Sequence, residues 1–332
     1  MRVEELPNKE EVTLSMRIFF LLWFCCQSAV AADRVVFKPA PGKIAVEIDG
    51  KLFTNFYYGW KTANPFLHPL KTSTGLAVTR AFPVEKIEGE SSDHIWHHGL
   101  WYSHGDINGV DFWRETTGDP AQDSKFPLPV GRMIAKAEPK TTIRGDSGTL
   151  TAELDLMASD NKSLGTVQES FTFSRQGVNH VVDVHVTIRA DRGVALKMGD
   201  TEEGSLGIRF ADEFRQDRGA TLLNSDGLVT TEKIWGKRAK WVDYSTTLKG
   251  QKVGVAIFDH PLNSKYPTYW HARGYGLCAA NPFGEHDFHN DKSLDGSVTI
   301  PKGSELEFRY RVMIHPGDAR EAKIEELSAG YK

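Results

Sequence analysis

The chain has 332 residues, of which 40% are hydrophobic and 25% are charged, and its formal net charge is −4. The composition is that of an ordinary globular protein, and the length allows one large domain or two small ones. The slightly acidic balance gives no support for binding to nucleic acid or to an anionic membrane surface. We therefore expect a folded protein without a nucleic-acid partner.

The N-terminal region has the pattern of an export signal. A basic residue follows Met16, and an apolar run then extends over residues 18–26. Ala29 and Ala31 form a small-x-small cleavage site. The apolar run is about half as long as the roughly 20 residues that a membrane span needs. The pattern therefore predicts a signal peptide over residues 16–31.

The mature chain is expected to comprise residues 32–332. Residues 1–15 carry four glutamates, which suit the start of a signal peptide poorly, so we interpret them as a mis-assigned start. The exported protein would be periplasmic or extracellular, without stable membrane insertion after cleavage. It would keep Cys278 alone of the cysteines, so no internal disulfide is expected.

Alternation of apolar and polar residues dominates the mature chain and is typical of half-buried strands. Residues 179–190 read NHVVDVHVTIRA and place one set of apolar side chains on one face: Val182, Val184, Val186 and Ile188. Residues 303–315 read GSELEFRYRVMIH and do the same with Leu306, Phe308, Tyr310, Val312 and Ile314. A helix is expected only over residues 318–327.

These patterns predict an all-β fold, namely one large antiparallel β super-sandwich over residues 32–332, with long loops and a short C-terminal helix. Two stacked smaller β domains are the alternative. Stretches without clean alternation are expected to form long polar loops, where functional residues concentrate. They are residues 61–74, 83–130, 211–246 and 259–292.

The first candidate cluster is SSDHIWHHGLWYSHGDINGVDFW, residues 91–113, which holds four of the twelve histidines and three tryptophans. Imidazole and carboxylate side chains are suitable ligands for a divalent transition metal, although the spacing matches no zinc motif. We commit to no cofactor. Under the metal alternative, the ligands would come from His94, His97, His98, His104 and His289.

The same cluster also has the composition of a sugar-binding cleft. Flat rings beside hydrogen-bonding groups are the lining expected for a small polar ligand, because sugar C–H faces stack on aromatic rings. Trp101 and Trp113 would be the stacking platforms, with Asp106 and Asn108 beside them. The alternative is that these tryptophans pin a long loop to the core.

Two further clusters carry acid/base groups. Residues 269–291 contain His271, Arg273, Asn281 and Glu285, which could grip a sugar and transfer protons. Residues 199–210 contain Glu202 and Glu203 at the entrance of a strand, and paired carboxylates serve glycosidase-type chemistry. A solvated loop or surface turn is the alternative for both.

Four ordered blocks of the sequence resemble an uncharacterised bacterial family that is often labelled "methane oxygenase PmoA". The blocks are residues 57–83, 93–113, 200–212 and 266–284. The label implies a metal-dependent oxygenase. A looser similarity links residues 296–317 to the closing strands of galactose-mutarotase-like super-sandwiches, which implies His and Glu or Asp on a concave sugar-binding sheet face.

We therefore expect an exported carbohydrate-active protein that binds or processes a sugar or oligosaccharide by acid/base chemistry of the epimerase, lyase or hydrolase type. The candidate catalytic residues are His98, His104, Glu202 and Glu285. The candidate substrate-binding residues are Trp101, Asp106, Asn108, Trp113, His271, Arg273 and Asn281. A metal-dependent enzyme with a His-rich site and a non-catalytic glycan-binding module are the alternatives.

Overall fold

A computed structural model of the protein describes Met1, residues 34–59 and residues 62–332. The predicted signal peptide and the fifteen residues before it lie outside this described part. Nineteen strands, four short α-helices and two single-turn 3-10 helices occur in it. The strands are β1 (Val35–Ala40), β2 (Lys43–Ile48), β3 (Lys51–Tyr57), β4 (Phe66–His68), β5 (Leu100–His104), β6 (Arg132–Ala135), β7 (Lys140–Arg144), β8 (Ser147–Met157), β9 (Ser163–Gln176), β10 (Asn179–Arg189), β11 (Leu196–Met198), β12 (Gly204–Arg209), β13 (Thr221–Asn224), β14 (Trp241–Leu248), β15 (Gln251–Asp259), β16 (Tyr269–Arg273), β17 (Leu277–Asn281), β18 (Val298–Ile300) and β19 (Glu305–Pro316). The helices are α1 (Pro120–Asp123), α2 (Thr231–Ile234), α3 (Glu285–His289) and α4 (Ile324–Ala329).

Two large antiparallel sheets make up the fold. One has eight strands in the order β1–β2–β3–β4–β5–β12–β17–β16. The other has nine, in the order β13–β14–β15–β19–β10–β9–β8–β6, with β7 paired to β8. Strands β11 and β18 form a small separate pair. The predicted all-β, antiparallel sandwich is therefore confirmed.

The main hydrophobic core lies between the two sheets and draws side chains from both. Strands β10 and β19 pair in register, with Val184 opposite Tyr310. The apolar face predicted from their alternation lies in this core: Val182, Val184, Val186, Ile188, Phe308, Tyr310, Val312 and Ile314. Period-2 patterning thus assigned the correct buried face to both strands.

The C-terminal segment covers the other face of the nine-stranded sheet, where Ile324 and Tyr331 pack near Phe258 and Met313. The predicted helix over residues 318–327 is shifted, because only α4 is helical. Turns precede it, and the left-handed backbone at its first capping position (φ 54°) separates them from the helix.

The eight-stranded sheet also has a second covered face, which we call the outer face. Its strands alternate between core residues, such as Ile208 and Ala272, and residues that point the other way. A second apolar cluster lies there: Phe66, Trp101, Trp113, Leu277 and Ala279. The loops predicted to carry function fold over this face. No helix in residues 34–59 and 62–332 is long and apolar enough to cross a membrane.

Candidate functional site

The floor of the candidate site is formed by β5, β12, β17 and β16, which are adjacent in the sheet. Their side chains alternate, so Trp101, Arg209, His271 and Arg273 point to the outer face. Gly207 allows the covering rings to approach the sheet, since a Cβ there would lie 2.8 Å from the Trp101 ring. A larger residue in the middle of β12 would displace that ring.

Asp93 anchors the His-rich loop to this floor. Its Oδ1 accepts hydrogen bonds from Arg80 Nη1 at 2.8 Å and from Arg209 Nη2 at 2.7 Å, and both guanidinium groups are fully buried. Burial opposes ionisation of Asp93. The bond to His94 and the two arginines outweigh burial and hold the pKa of this carboxyl well below its usual range.

Arg80 and Arg209 also fix the backbone and rings of the same loop. Arg80 Nη2 donates to the His94 carbonyl at 3.0 Å, and Arg209 Nη1 lies 3.3 Å from His97 Nδ1. The His97 ring stacks on His94 with centroids 4.7 Å apart, and Tyr275 lies parallel to both. Burial lowers the pKa of His97 well below its ordinary value, so its imidazole is neutral.

The ionisable side chains of the site lie together at one place, where two adjacent carboxyls contact two arginines and an imidazole. We call Glu202, Glu203, Arg114, His271 and Arg273 the carboxylate cluster. The two glutamates and Arg114 are half-buried, and the Arg273 side chain is 34% exposed, so a ligand could reach the cluster from solvent. His271 forms its buried base.

Glu202 is held by groups from strand β16. Its Oε2 accepts from Arg273 Nη2 at 2.9 Å and lies 3.6 Å from His271 Nδ1. Arg273 Nε donates to His271 Nε2 at 3.1 Å. Because Nε2 accepts, this network assigns the imidazole proton to Nδ1, which faces Glu202.

Glu203 is held from the opposite side by Arg114. Arg114 Nη2 donates to Glu203 Oε1 at 2.7 Å, and Arg114 Nη1 donates to Asp111 Oδ2 at 2.8 Å. Asp111 is fully buried, and its Oδ1 accepts hydrogen bonds from the backbone N–H groups of Trp113 and Arg114. Arg114 is therefore fixed in place before any ligand arrives.

Burial sets the protonation of this cluster. It raises the pKa of Glu203 to about 7, with Arg114 opposing the shift and Glu202 adding to it. Burial also raises the pKa of Glu202, against the effect of Arg273. The pKa of His271 is lowered well below its ordinary value by burial and by Arg273. Near neutral pH the cluster thus combines a carboxyl that readily gains or loses a proton with a neutral imidazole.

The backbone of the two glutamates is fixed by three neighbouring segments. Asn281 Nδ2 donates to the Thr201 carbonyl at 2.8 Å, and the Glu202 N–H donates to Asp287 Oδ2 at 2.8 Å. The Gly105 N–H donates to the Glu203 carbonyl at 2.7 Å. Strand β17, helix α3 and the turn after β5 thus position the carboxyl pair.

Aromatic rings border the cluster. The Arg273 guanidinium lies 4.9 Å over the half-buried Trp235 ring, and the Arg209 guanidinium lies 4.7 Å over Tyr275. The indole N–H groups of Trp113 and Trp235 are buried, and no described residue accepts a hydrogen bond from either. Such rings beside charged groups suit a polar ligand that has an apolar face.

The structure brings together Glu202, His271 and Arg273 among the residues predicted for the site, with Asn281 directly behind them. His98 lies on the same outer face, where it pairs with Glu115 at 2.7 Å and stacks on Phe66. Its side chain is 9% exposed.

The two tryptophans predicted as stacking platforms are core residues of the outer face. Trp101 and Trp113 are 1% and 0% exposed, and their rings pack against each other with centroids 4.9 Å apart. A sugar has no access to either face of these rings in this arrangement. Trp235 is the more accessible ring next to the cluster.

Four other predicted residues lie away from the cluster. His104 points to the inter-sheet side, where it contacts Phe283 and pairs with the Gly199 carbonyl at 2.8 Å. Asp106 and Asn108 stabilise a turn by bonding backbone groups. Glu285 begins α3 and accepts a 3.4 Å hydrogen bond from the Tyr269 hydroxyl.

Of the five histidines considered as metal ligands, His94 and His97 stack on each other, but the described structure brings no three of them together. His94 pairs with Asp93, His98 with Glu115, and His289 with the Tyr269 hydroxyl. Within residues 34–59 and 62–332, no three His, Cys, Asp or Glu side chains are arranged to hold a metal ion. The side chains of the His-rich stretch mainly hold the loop in place.

Three residues of the site were not predicted from the sequence: Arg114, Tyr275 and Trp235. Arg114 follows a tryptophan in a polar stretch, and no local pattern pairs it with Glu203, 89 positions away. Glu203 itself was recognised as half of a carboxyl pair but was not selected as a site residue.

Replacing Arg114 by glutamine is expected to raise the pKa of Glu203 above about 7, because Arg114 is the main group that stabilises its ionised form. NMR titration of protein with ¹³C-labelled glutamate carboxyls measures this change. Arg144→Gln, at an exposed position on β7, is the matched control and should leave the titration unchanged. An unaltered or lowered Glu203 pKa in the Arg114 variant would show that the pair does not form.

The two sheets define an all-β sandwich protein with a half-buried cluster of carboxyls, arginines and an imidazole on one sheet face. Residues 43–329 match the model of a family of unknown function, DUF6807. The chain belongs to that family. No curated protein matches the chain.

Solved structures with a similar arrangement include the GH36 alpha-galactosidase AgaA from Geobacillus stearothermophilus, at 10% identity and a TM-score of 0.40, covering 86% of this chain and 41% of that one. The chain thus spans about two fifths of that enzyme. A galactose mutarotase-like protein from Clostridium acetobutylicum matches at 9% identity and a TM-score of 0.35, covering 85% and 95% of the two chains. One from Lactobacillus casei matches at 10% identity and a TM-score of 0.35, covering 85% and 100%. The fold class of this chain rests on its own two sheets.

Proposed function

We propose that the carboxylate cluster binds a sugar or oligosaccharide and transfers a proton to or from it. The observation that carries this proposal is Glu203, a half-buried carboxyl with its pKa raised to about 7 by burial and tied to a fixed arginine. A general acid or base works best when its pKa lies near the working pH.

The remaining groups suit recognition of a hydroxylated ring. The guanidinium of Arg273 donates hydrogen bonds, and the Glu202 carboxyl accepts them, so the two could bind neighbouring hydroxyls. The half-buried Trp235 ring offers an apolar surface for C–H groups. His271, neutral and accepting from Arg273 Nε at 3.1 Å, would help to position Arg273 beside Glu202.

The reaction class that this chemistry serves is proton transfer at a sugar carbon or oxygen, as in epimerisation, lyase action or hydrolysis. Glu203 in its protonated form would donate to a leaving or ring oxygen, and in its ionised form would remove a proton. Arg114 would stabilise the ionised form between these steps. We carry no oxygenase chemistry over to this chain, because the His-rich stretch serves to hold its loop.

We also propose that the protein is exported and meets its ligand outside the cytoplasm, on the strength of the signal-peptide pattern at residues 16–31. Mass spectrometry of the protein isolated from its own cells should find a chain that begins at Ala32. A chain that still carries residues 16–31 would contradict export with cleavage.

A sugar screen tests the proposal directly. We expect at least one sugar from a panel of neutral and acidic mono- and oligosaccharides to raise the melting temperature of the mature protein, because a ligand that binds only the folded state stabilises it. NMR of the same mixtures detects any product. The Arg273→Ala variant should lose the shift, whereas Arg144→Ala on β7 should keep it.

Two results would count against the proposal. One is a panel in which no sugar shifts the melting temperature. The other is a shift that survives unchanged in Arg273→Ala, which would place the binding site elsewhere. Binding without any product would instead favour a non-catalytic glycan-binding role for the same cluster.

A further inference from the structure

An acidic side chain lies in the middle of the main hydrophobic core. Glu169 is on β9, on the same face as Val167 and Phe171, and these two point into the core between the sheets. In register it lies opposite Ala152 of β8 and Val186 of β10, which are also core residues. The pattern of β9 therefore puts a glutamate where an apolar residue belongs.

The Glu169 carboxyl has no partner in the described part of the chain. The residue is 0% exposed, and neither of its oxygens is hydrogen-bonded to any residue of 34–59 or 62–332. No described cation acts on it, and burial alone raises its pKa well above the ordinary value. An ionised carboxylate in such a place would lose its hydration and gain nothing in return.

The groups that face Glu169 across the core are polar and uncharged. Burial raises the pKa of Tyr102 on β5, and Tyr102 lies close enough to Glu169 for that charge to add to the shift, while Ser205 of β12, beside the Tyr102 hydroxyl, opposes it. The Tyr102 hydroxyl and the Ser205 hydroxyl are both buried, and neither is charged. The neighbours from β8, β10 and β19 are apolar: Ala152, Val186 and Phe308.

We propose that the sandwich folds around Glu169 in its protonated, uncharged form, and that loss of this proton is a built-in switch that loosens the core as the pH rises. The geometry supports it, because the only titratable neighbour shown for Glu169 in the described core is the Tyr102 hydroxyl, and no described positive charge acts on Glu169. Tyr102 lies between Trp101 and Ser103 on β5, so the switch acts on a strand that forms the floor of the carboxylate cluster. The proposal is independent of what that cluster binds.

The sign of the effect follows from proton linkage. The pKa of Glu169 is raised in the folded state and ordinary in the unfolded state. Its contribution to stability is therefore fully present below the unfolded value of about 4.5 and is lost as the pH rises toward the folded value. Glutamine at this position keeps the shape and cannot ionise, so it removes the dependence.

Urea unfolding of the mature protein and its Glu169→Gln variant, from about pH 5 to about pH 9, tests the switch. We expect the ratio of the two unfolding equilibrium constants, native chain over variant, to rise with pH by up to tenfold per pH unit. Glu153→Gln, at an exposed position on the neighbouring strand β8, should give a ratio that does not change with pH. A constant ratio for Glu169→Gln would overturn the proposal.

The effect of Glu169 must be distinguished from the effects of two other acids, the half-buried Glu203 and the buried Asp259, because burial raises the pKa of both to about 7. The Glu169→Gln effect should therefore be repeated in a Glu203→Gln background and in an Asp259→Asn background, and should persist in both. Neither Glu203 nor Asp259 contacts Glu169, so the effects of their substitutions on the free energy of unfolding should add to that of Glu169→Gln.

A second measurement keeps the proposal testable if Glu169→Gln does not fold. Infrared spectra of the Glu202→Gln/Glu203→Gln protein, labelled with ¹³C-glutamate, should show the carbonyl band of a protonated glutamic acid at about pH 7. The ¹³C label separates glutamate from Asp259. Absence of that band at this pH would show that Glu169 is ionised in the folded protein and would overturn the proposal.

Discussion

Replacing Asp93 by asparagine is expected to destabilise the protein by about 3 kcal/mol. Asp93 is the carboxylate shared by Arg80 and Arg209, whose guanidinium groups are 0% and 1% exposed. Without it, two buried cations lie side by side with no shared anion. Asp93 itself is 40% exposed, so we take the lower end of the usual cost of breaking a buried ion pair.

Urea unfolding at neutral pH measures this loss. Asp160→Asn is the matched control, because Asp160 is an exposed carboxylate that pairs with exposed Lys162, and it should leave the unfolding midpoint unchanged. Equal midpoints for the Asp93 variant and the native chain would show that Arg80 and Arg209 do not depend on Asp93. That result would contradict the inference that Asp93 anchors the His-rich loop to the sheet.

Replacing Glu203 by glutamine is expected to lower turnover of the sugar found in the screen by roughly 10²- to 10⁴-fold. The glutamine keeps the shape and can still accept from Arg114, so binding should remain while proton transfer fails. Turnover by the native protein should change with pH around 7, following the pKa of Glu203, and the residual activity of the variant should lose this dependence.

Glu321→Gln provides the control for this experiment, since Glu321 is a half-exposed carboxylate that pairs with Lys252. Its turnover and pH profile should match those of the native chain. A Glu203→Gln protein with native turnover, or with an unchanged pH profile, would remove Glu203 from the chemistry. Glu202 would then be the remaining candidate, and Glu202→Gln the next variant.

The scaffold was predictable from the sequence because its long strands have one face in the core and one face exposed. Strand β10 alternates Val184 and Val186 with Asp183 and His185, and that alternation identifies both the strand and its buried side. The same holds for β19. A strand shows alternating apolar and polar residues in its sequence only when one of its faces is buried and the other is not.

The floor of the site was not predictable in that way, because its strands are covered on both faces. Every residue of β5, β12 and β17 is buried, so apolar residues and buried polar residues mix without a period. Strands β5 and β17 lie in stretches predicted as loops, whereas β12 lies where a strand was expected to begin after Glu202 and Glu203. The prediction that His104 is catalytic placed it in the cluster, but its side chain lies on the other face of β5. The sequence does not show which face a residue of β5 occupies, because that depends on the register of the strand.

The contacts of the site depend on pairing between distant segments. Antiparallel pairing of β5 with β12 sets Gly204 opposite His104 and thus brings the glutamates beside the loop that carries Arg114. The local sequence of either strand does not determine how β5 and β12 are aligned with each other. Residue types alone identified Glu202, His271 and Arg273, and the sheet order showed that they meet.

The most direct test of sugar binding at the carboxylate cluster is an NMR titration that follows the indole N–H signals of the tryptophans. Trp235 borders the cluster, whereas Trp241 lies on the opposite sheet with its indole N–H bonded to Glu325 at 2.7 Å. We expect the sugar that stabilises the protein to shift the Trp235 signal and to leave the Trp241 signal in place. A shift at Trp241 alone, or no shift at any tryptophan, would contradict a sugar site on the outer face.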